Sequence, residues 1–340
     1  MVKLHTERPK LSDLARQTGL SVMTVSRVLN DYAGVSVKTR ELVLSAAKQM
    51  GYVPNASARS LASGRSHMLG LMIWDMDDGY NTEVTRGVCL EAKLAHYEVV
   101  LYLSGKNKEH ELSQIASLMG NAVAGLIMVL HRDSSRYLEL LTTKRFPFVL
   151  IDQRTLENPL PTIRTTNYEG AMQGTRHLIA LGHCRIGFIT GYMGFFCARE
   201  RLRGYQDALV EAGILYNPAY VRIGDFDFAN ALACATELLT MDPRPTAIFA
   251  SDDTMALGVY TAASTCRLRV PEDVSVVGFD DVPMAARFNP PLTTVRQPIF
   301  EMGRQAVLAL LAIIQNNETG QEIAALPTEL VVRASTAPPR

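Results

Sequence analysis

Cysteine is scarce in this 340-residue chain, and its five cysteines follow no recurring spacing. An odd and scattered set of this kind fits neither a disulfide framework nor a zinc site, so we expect reduced thiols. The seven histidines are equally scattered, and the sequence therefore predicts no metal centre. The cysteines are Cys89, Cys184, Cys197, Cys234 and Cys266.

Long apolar runs are also missing. No run approaches the roughly 20 residues that a helix needs to cross a bilayer, and the first ten residues, MVKLHTERPK, contain no apolar signal core. We therefore expect a cytoplasmic protein with no membrane partner, which argues against a secreted binding protein. The chain also lacks a repeat of solenoid length and a long low-complexity segment.

Signatures of cofactor binding and catalysis are missing as well. The segment GYMG, from Gly191 to Gly194, lacks both the third glycine of a dinucleotide fingerprint and the lysine of a phosphate loop. Several carboxylates suggest a glycosidase, but their spacing gives no matched acid and nucleophile. We expect no cofactor, no catalytic residue and no enzymatic activity, and we keep a sugar-acting enzyme as an alternative.

Charge is balanced overall but unevenly distributed, with 34 lysines and arginines against 34 aspartates and glutamates. Residues 1–66 contain ten basic and four acidic side chains, which gives +6. The remainder contains 24 basic and 30 acidic side chains, which gives −6. A basic segment on an acidic body is typical of a nucleic-acid-binding module joined to a domain with another task.

The basic segment contains a strong local pattern at residues 11–29, LSDLARQTGLSVMTVSRVL. Gly19 can adopt the left-handed conformation that ends a first helix. Ser21 can cap a second helix through the backbone amide of Thr24. The pattern predicts two short helices joined by a tight turn.

The faces of these two helices differ in character. Leu20 and Val25 form a hydrophobic staple across the turn, and apolar side chains occupy the inner faces. A polar and basic outer face held by a tight turn indicates a helix-turn-helix for the major groove of DNA, whereas a buried helical hairpin would not need an outward arginine. The inner residues are Leu14, Ala15, Val25, Val28 and Leu29, and the outer ones are Val22, Met23, Ser26 and Arg27.

A third helix follows, with Ser36 as its cap and Gly51 as its stop. Pro54 then blocks continuation, and Asn55 can cap a new and very short helix. A helix of that length is marginal by itself, so we expect it to need DNA or a partner.

The rest of the chain alternates apolar runs with helical stretches such as 82–95, 107–119, 168–181 and 200–213. Runs this apolar are buried on both faces, as in parallel sheets covered by helices. Two halves of similar make-up predict two doubly wound subdomains with a ligand cleft at the carboxyl ends of their strands. The runs are 69–74, 99–103, 125–130, 148–152, 185–190, 221–224, 247–251 and 274–280.

Polar and aromatic side chains follow several of these runs, and their chemistry suits a sugar. Carboxylates accept hydrogen bonds from vicinal hydroxyls, an arginine donates a fork, and Trp74, Tyr80 or Phe226 can cover an apolar sugar face. An aspartate at a strand end can instead cap the next helix, and for Asp253 and Asp281 we favour that role.

These segments together resemble the lactose-repressor/galactose-repressor (LacI/GalR) family of bacterial transcription regulators. The resemblance runs from about Lys10 to about Arg333 and rests on motifs in combination. They are ARQTGLSVMTVSRVLN, VSVKTRELVLSAAKQMGYVPNASARSLASGRS, SDDTMALG and VPEDVSVVGFDDVPMAARFNPPLTTVRQP.

The resemblance implies an all-α helix-turn-helix headpiece (1–54), a hinge helix and linker (55–66), and an α/β core (67–340). The core would consist of two doubly wound parallel-sheet subdomains of periplasmic-binding-protein type I. Their expected extents are 67–164 plus 294–326 and 165–293 plus 327–340, and the chain would cross between them near 164–168, 290–296 and 324–329.

The resemblance also assigns an effector site. Asp252 stands where many relatives carry asparagine, and Trp74 is added for its place at a strand end. The expected effector-binding residues are Trp74, Tyr80, Asn81, Asp152, Arg201, Phe226, Asp252 and Asp280.

For DNA, the outward residues of the second helix would read bases, with Arg27 suited to a guanine edge. The resemblance places the hinge helix in the minor groove, where Leu61 matches a leucine that wedges into a base step. The expected base contacts are Val22, Met23 and Arg27; the phosphate contacts are Thr24, Ser26, Ser36 and Thr39; and the hinge contacts are Asn55, Ala58 and Leu61.

The sequence as a whole predicts a repressor of carbohydrate-utilisation genes whose operator affinity is controlled by a small sugar or oligosaccharide. A nucleobase or nucleoside corepressor is the alternative effector. Two-fold symmetry would pair a homodimer with a palindromic operator in the nucleoid. The tail TAPPR lacks apolar heptads and is expected to be disordered.

Overall fold

The computed structural model describes residues 9–29, 32, 34–52, 66–74, 76, 79–104, 115–120, 123–129, 135–152, 160–316 and 325–340. The chain divides into two compact units, Met1–His67 and Met68–Arg340. The hinge segment predicted at 55–66, with Asn55, Ala58 and Leu61, lies almost wholly outside the described residues. None of the described helices is long and apolar enough to cross a membrane.

The first unit contains three helices, which we call the headpiece: α1 (Leu11–Thr18), α2 (Val22–Leu29) and α3 (Val37–Met50). Their boundaries follow the local signals. Gly19 ends α1 with φ 68° and Gly51 ends α3 with φ 62°. Ser21 and Ser36 accept hydrogen bonds from the amides of Thr24 and Thr39, each at 3.1 Å. Four of the five predicted inner residues are buried in one small core, and Leu29 packs against it half-buried. The core is formed by Leu14, Ala15, Val25, Val28, Val43, Ala46 and Ala47.

The second unit, which we call the core, begins with a parallel sheet in the order β2-β1-β3-β4-β5. Alternate residues of β1 face opposite sides: Leu71 and Ile73 pack under α4 (Gly79–Leu94) and α10 (Ile299–Asn316), and Met72 packs under α5 (Ser135–Thr143). The edge strand β2 is the exception, because its side chains are exposed or half-buried. The elements are β1 (Met68–Ile73), α4 (Gly79–Leu94), β2 (Glu98–Leu103), β3 (Gly125–Val129), α5 (Ser135–Thr143), β4 (Phe148–Ile151) and β5 (Thr162–Ile163).

A second sheet has the order β11-β10-β9-β8-β6-β7, and only β11 runs antiparallel to its neighbour. Helices α6 and α7 cover one face, and α8 and α9 cover the other. The elements are α6 (Asn167–Ala180), β6 (Ile186–Thr190), α7 (Phe196–Glu211), β7 (Val221–Ile223), α8 (Phe228–Leu239), β8 (Ala247–Ala250), α9 (Asp253–Thr265), β9 (Ser275–Asp280), β10 (Thr293–Arg296), α10 (Ile299–Asn316) and β11 (Glu329–Val331). The eight apolar runs of the sequence all form strands, within a residue or two.

Three short strands were missing from that prediction: β5, β10 and β11. They lie at or beside the places where the chain passes between the sheets, and their two to four residues are too short for a periodicity. Strand β10 pairs with β9 in the second sheet, whereas α10 packs on the first. The passage therefore follows Arg296, and the expected boundary at 294 was wrong.

The expectation of a disordered tail was also wrong. Ser335, directly before this tail, is fully buried, donates to the carbonyl of Val276 and accepts from the amide of Thr293. In the tail itself, the Thr336 hydroxyl lies 2.9 Å from Nε2 of His177. The carbonyl of Ala337 lies 2.9 Å from Nε2 of His183. Hydrogen bonds to the second sheet order this segment, which local composition did not indicate.

Candidate functional site

The outer face of α2 is the first candidate site. Val22 is 49 % and Met23 67 % exposed, and Arg27 is exposed one turn further along. Val25 and Val28 are buried on the opposite face. Two exposed apolar side chains beside an arginine form a surface that can approach base edges and donate a fork to guanine.

The starts of α2 and α3 share one polar arrangement. The cap hydroxyl lies 2.8 Å from a threonine hydroxyl in both helices, Ser21 with Thr24 and Ser36 with Thr39. Amides and hydroxyls at a helix start suit a phosphate group. Ser26, the fourth predicted phosphate contact, is half-buried on α2.

The second candidate site lies in the core, where Arg201 from α7 is 3 % exposed. Its Nε donates to Oδ1 of Asn167 at 2.7 Å, and its Nη1 donates to the carbonyl of Ser251. Nη1 lies 3.5 Å from Oδ1 of Asp280, and the guanidinium stacks 3.8 Å over the Phe279 ring. Burial opposes a charge here, but the neighbouring carboxylates outweigh it and raise the pKa of Arg201.

Asp280 ends β9 and is 5 % exposed. The side-chain amide of Gln297 donates to its Oδ1 at 2.6 Å. The other side of the Gln297 amide accepts a hydrogen bond from the hydroxyl of Thr165. Asp280 is therefore connected both to a cation and to the segments that join the two sheets.

Tyr80 in α4 and Asp152 directly after β4 lie near this cluster on the side of the first sheet. The Tyr80 hydroxyl donates to Oδ2 of Asp152 at 2.7 Å. Burial raises the pKa of Asp152, and the nearby Arg201 opposes that shift. Burial and the adjacent carboxylate raise the pKa of Tyr80 well above its usual value, so the phenol remains a donor. Asn81 is buried next to Tyr80 in α4.

Oδ1 of Asp152 is buried and has no hydrogen-bond partner of good geometry among the described residues, while Asn167 and the Thr165 backbone lie near enough to this carboxylate to oppose the rise in its pKa. Asp152 also lines a cavity of about 170 Å³ beside the segments that join the sheets. A buried acceptor of this kind fits a ligand hydroxyl. The other lining residues include Thr162, Thr165, Thr166, Asn167 and Phe196.

Backbone conformation marks the same positions. Asp152, Phe226 and Asp280 have φ values of 54°, 58° and 108°. Residues other than glycine rarely adopt such values, and they concentrate at functional sites. In this core, the positive φ values turn the chain at the end of a strand or shortly after it. Phe226 stacks on Phe195 with ring centroids 6.3 Å apart, and Trp74 follows β1 half-buried.

The aspartate caps differ from the expectation. Asp252 caps α9 by accepting from the amide of Met255. Asp253 instead accepts from the amide of Val282 and the hydroxyl of Thr294. Asp281 binds Arg296 and Arg333 at 2.7 and 2.6 Å. The capping roles predicted for Asp253 and Asp281 were wrong, because their carboxylates bind donors from distant segments of the chain instead of the amides of a following helix.

Sequence reasoning missed Asn167, Phe279 and Gln297, which hold Arg201 and Asp280 in place. The available signal was weak, because none of the three carries a charge and only Gln297 directly follows a strand. Phe279 lies inside β9, and Asn167 begins α6. Cys197 lies near Arg201 and is buried, which raises the pKa of its thiol to about 12 and keeps it protonated. The described residues contain no group of three His, Cys, Asp or Glu that could hold a metal ion.

Comparisons with known proteins cover almost the whole chain. Residues 10–55 match the model of the lacI family of bacterial regulatory proteins, and residues 175–336 match a periplasmic binding protein-like domain. The chain is 32 % identical to catabolite control protein A of Priestia megaterium over 325 residues, 95 % of this chain and 98 % of that protein. It is 33 % identical to the transcriptional repressor PurR of Haemophilus influenzae over 329 residues, 96 % and 98 % of the two chains.

Solved structures agree with this likeness. The lac repressor dimer bound to operator and the anti-inducer ONPF superposes with a TM-score of 0.86 at 30 % identity, covering 97 % of this chain and all of that one. The complex of the regulator CelR with cellobiose superposes with a TM-score of 0.75 at 33 % identity, covering 96 % of this chain and all of that one.

Proposed function

Because the chain belongs to the lacI family of bacterial regulatory proteins, we propose that it represses carbohydrate-utilisation genes under the control of a sugar bound in its core. The chain is a DNA-binding transcriptional regulator, and its relatives along nearly their full length are repressors rather than enzymes. A regulator of this kind works in the cytoplasm, at the nucleoid.

The exposed face of α2 carries the DNA-binding part of the proposal. Val22, Met23 and Arg27 read base edges, and the hydroxyls at the starts of α2 and α3 contact phosphates, which position the helix without specifying sequence. In a homodimer the two headpieces contact half-sites related by two-fold symmetry, so the operator is palindromic.

The core supports a second copy of the chain as a partner. Large apolar side chains are exposed on α4 and on the edge strand β2, including Leu94, Leu101 and Leu103. The edge of the second sheet also exposes Ile223. Apolar sheet edges left open to solvent are typical of surfaces that another chain covers.

The buried carboxylates support a sugar as effector. Asp152 offers an acceptor oxygen, and Asp280 and Arg201 lie side by side. Phe226 supplies an aromatic face, with Cζ of Arg201 5.9 Å from the centre of its ring. Neutral polyols match this mixture of acceptors, donors and an apolar face. The CelR–cellobiose complex supports the same ligand class, and the likeness to PurR keeps a nucleobase as the second candidate.

Two measurements test this proposal. Selection of binding sites from a pool of random duplexes should return a palindrome for the wild type. The Arg27→Ala variant should lose preference at one position of each half-site, while the Arg16→Ala variant, altered on exposed α1, should select the wild-type sequence. An unpalindromic or unselective result for the wild type would contradict the DNA-binding assignment.

The effector is tested by thermal stability with cellobiose, ribose, other sugars and purine bases. A ligand at 100 times its dissociation constant stabilises the folded core by about 2.7 kcal/mol. Stabilisation by a sugar that also changes retardation of the selected DNA supports the proposal. Stabilisation by a purine base alone would transfer the assignment to the second candidate.

A further inference from the structure

The chain passes between the two sheets three times, at residues 164–166, 297–298 and 326–328, which we call the first, second and third crossings. The first and third are joined by the backbone. The amide of Thr166 donates to the carbonyl of Leu326 at 3.0 Å, and the amide of Leu326 donates to the carbonyl of Arg164 at 2.8 Å. The amide of Thr328 also donates to the Thr166 hydroxyl at 2.8 Å.

The second crossing is held differently, because its described hydrogen bond to the first is between side chains. The hydroxyl of Thr165 donates to the Gln297 carbonyl oxygen Oε1. Gln297 is itself attached to Asp280, so the bond that joins these two crossings also touches the predicted ligand site.

Five buried side chains close a ring around this bond. Arg201 donates to Asn167 at 2.7 Å, and Asn167 donates to the Thr165 hydroxyl at 3.1 Å. Thr165 donates to Gln297, and Gln297 donates to Asp280 at 2.6 Å. Asp280 lies 3.5 Å from Arg201 and closes the ring. All donors point in one direction from the cation to the anion, an arrangement in which each hydrogen bond polarises the next.

We propose that Thr165 and Gln297 are positioning residues that convert ligand contact at Arg201 and Asp280 into a change between the first and second crossings. A ligand hydroxyl that donates to Asp280 competes with the Gln297 amide, and one that accepts from Arg201 competes with Asn167. Either replacement of a hydrogen-bond partner weakens the ring, while the backbone hydrogen bonds between the first and third crossings remain. The two sheets then rotate about that remaining pair. This inference rests on the proposed function, because it takes the cleft as the effector site.

The Thr165→Val variant tests the inference, because valine keeps the shape and removes the hydroxyl. Thr165→Ser restores the hydroxyl and should behave as wild type. Gln305→Leu is the control, since Gln305 lies on α10 and donates to Glu301 of the same helix. The measured quantity is the ratio of the dissociation constants for the selected duplex with and without saturating sugar, using cellobiose or ribose as the probe.

Coupling between two sites usually changes affinity by about 5- to 150-fold. We expect Thr165→Val to reduce the wild-type ratio by at least about fivefold, and Thr165→Ser and Gln305→Leu to leave it within about twofold. An unchanged ratio in Thr165→Val, or an equal loss in Thr165→Ser, would overturn the inference.

Hydrogen exchange without any ligand separates this inference from the choice of effector. The backbone amide of Gln297 donates to the carbonyl of Asp280 at 3.2 Å. Thr165→Val should speed hydrogen exchange at this backbone amide by about tenfold or more and leave exchange at the backbone amides of Thr166 and Leu326 unchanged, because regions open independently with their own free energies. Equal exchange at Gln297 would reject the role of the ring even if a sugar controls the protein. If a purine base rather than a sugar changes DNA binding and Thr165→Val reduces that change, the inference stands and the proposed effector class fails. If no sugar or base changes DNA binding, both the inference and the proposed effector class fail.

Discussion

The headpiece and the core present their functional side chains in opposite ways. Met23 on α2 is largely exposed, whereas Asp152 in the core is 4 % exposed. DNA is too large to be enclosed, so its reader must protrude, while a small ligand is recognised by groups that surround it. A surface for a large partner can therefore come from one short segment, and a site for a small ligand draws on several.

We expect the two regions to differ in stability as well, because their buried cores differ in size. The headpiece packs around seven buried apolar side chains. In the core, each sheet has a larger cluster of buried apolar side chains on each of its two faces. Small units bury a smaller fraction of their surface and are more easily unfolded. Changes of similar size should therefore affect the two regions differently.

The largest effect on the core is expected from Arg201→Ala. Removing the guanidinium leaves Asp280 buried without its cation, and breaking a buried pair costs about 3–5 kcal/mol. Calorimetry should show that the core unfolds at a lower temperature, and the response of DNA binding to the effector should be lost. Arg203→Ala, whose partner Glu200 lies 2.8 Å away at the surface of the same helix, should leave the transition within about 0.5 kcal/mol. An unchanged unfolding temperature of the core in Arg201→Ala would contradict this prediction.

The matching change in the headpiece is Leu14→Ala. Leu14 is fully buried, and its truncation costs about 2–5 kcal/mol, which is comparable with the whole stability of so small a unit. We expect loss of DNA binding with an unchanged core transition. Leu44→Ala, at a half-exposed position of α3, provides the control and should retain DNA binding. A parallel loss of core stability would show that the two units do not unfold separately.

Arg27→Ala sharpens the comparison further, because it removes an exposed side chain without disturbing packing. We expect a loss of about 1–3 kcal/mol in the preference for the selected duplex over random DNA. The ratio of the two affinities at fixed salt measures it. An equal weakening on both DNAs would assign Arg27 to a phosphate instead.

The smallest effect concerns pH and the ordered tail. Burial lowers the pKa of His183 and of the neighbouring His177 below 6.5. Because the folded core favours neutral imidazole, this stability is present above pH 6.5 and declines as the pH falls below it. The core transition should therefore fall by a few degrees between pH 7.5 and 5.5. His183→Gln should flatten that decline and the exposed His67→Gln should not; identical slopes in all three proteins would contradict the assignment.

Much of the fold followed from the sequence, because its strongest signals act over a few residues. Glycine stops, serine caps and apolar spacing placed the headpiece helices, and buried apolar runs placed eight strands. The strands β5, β10 and β11 were missed because two to four residues carry no period and their pairing joins distant segments. The tail was misjudged for the same reason, since Ser335 and Ala337 are ordered by partners more than 40 residues away.

The sequence by itself determined the helices of the headpiece, the α/β character of the core and which residue types end its strands. It could not decide what those residues do there. Asp252, Asp253 and Asp280 are chemically alike, yet the first caps a helix, the second joins the start of that helix to one strand and one loop, and the third lies beside a buried arginine. Only the tertiary structure made that distinction, because a carboxylate's role depends on which donors the packed sheets bring within hydrogen-bonding distance.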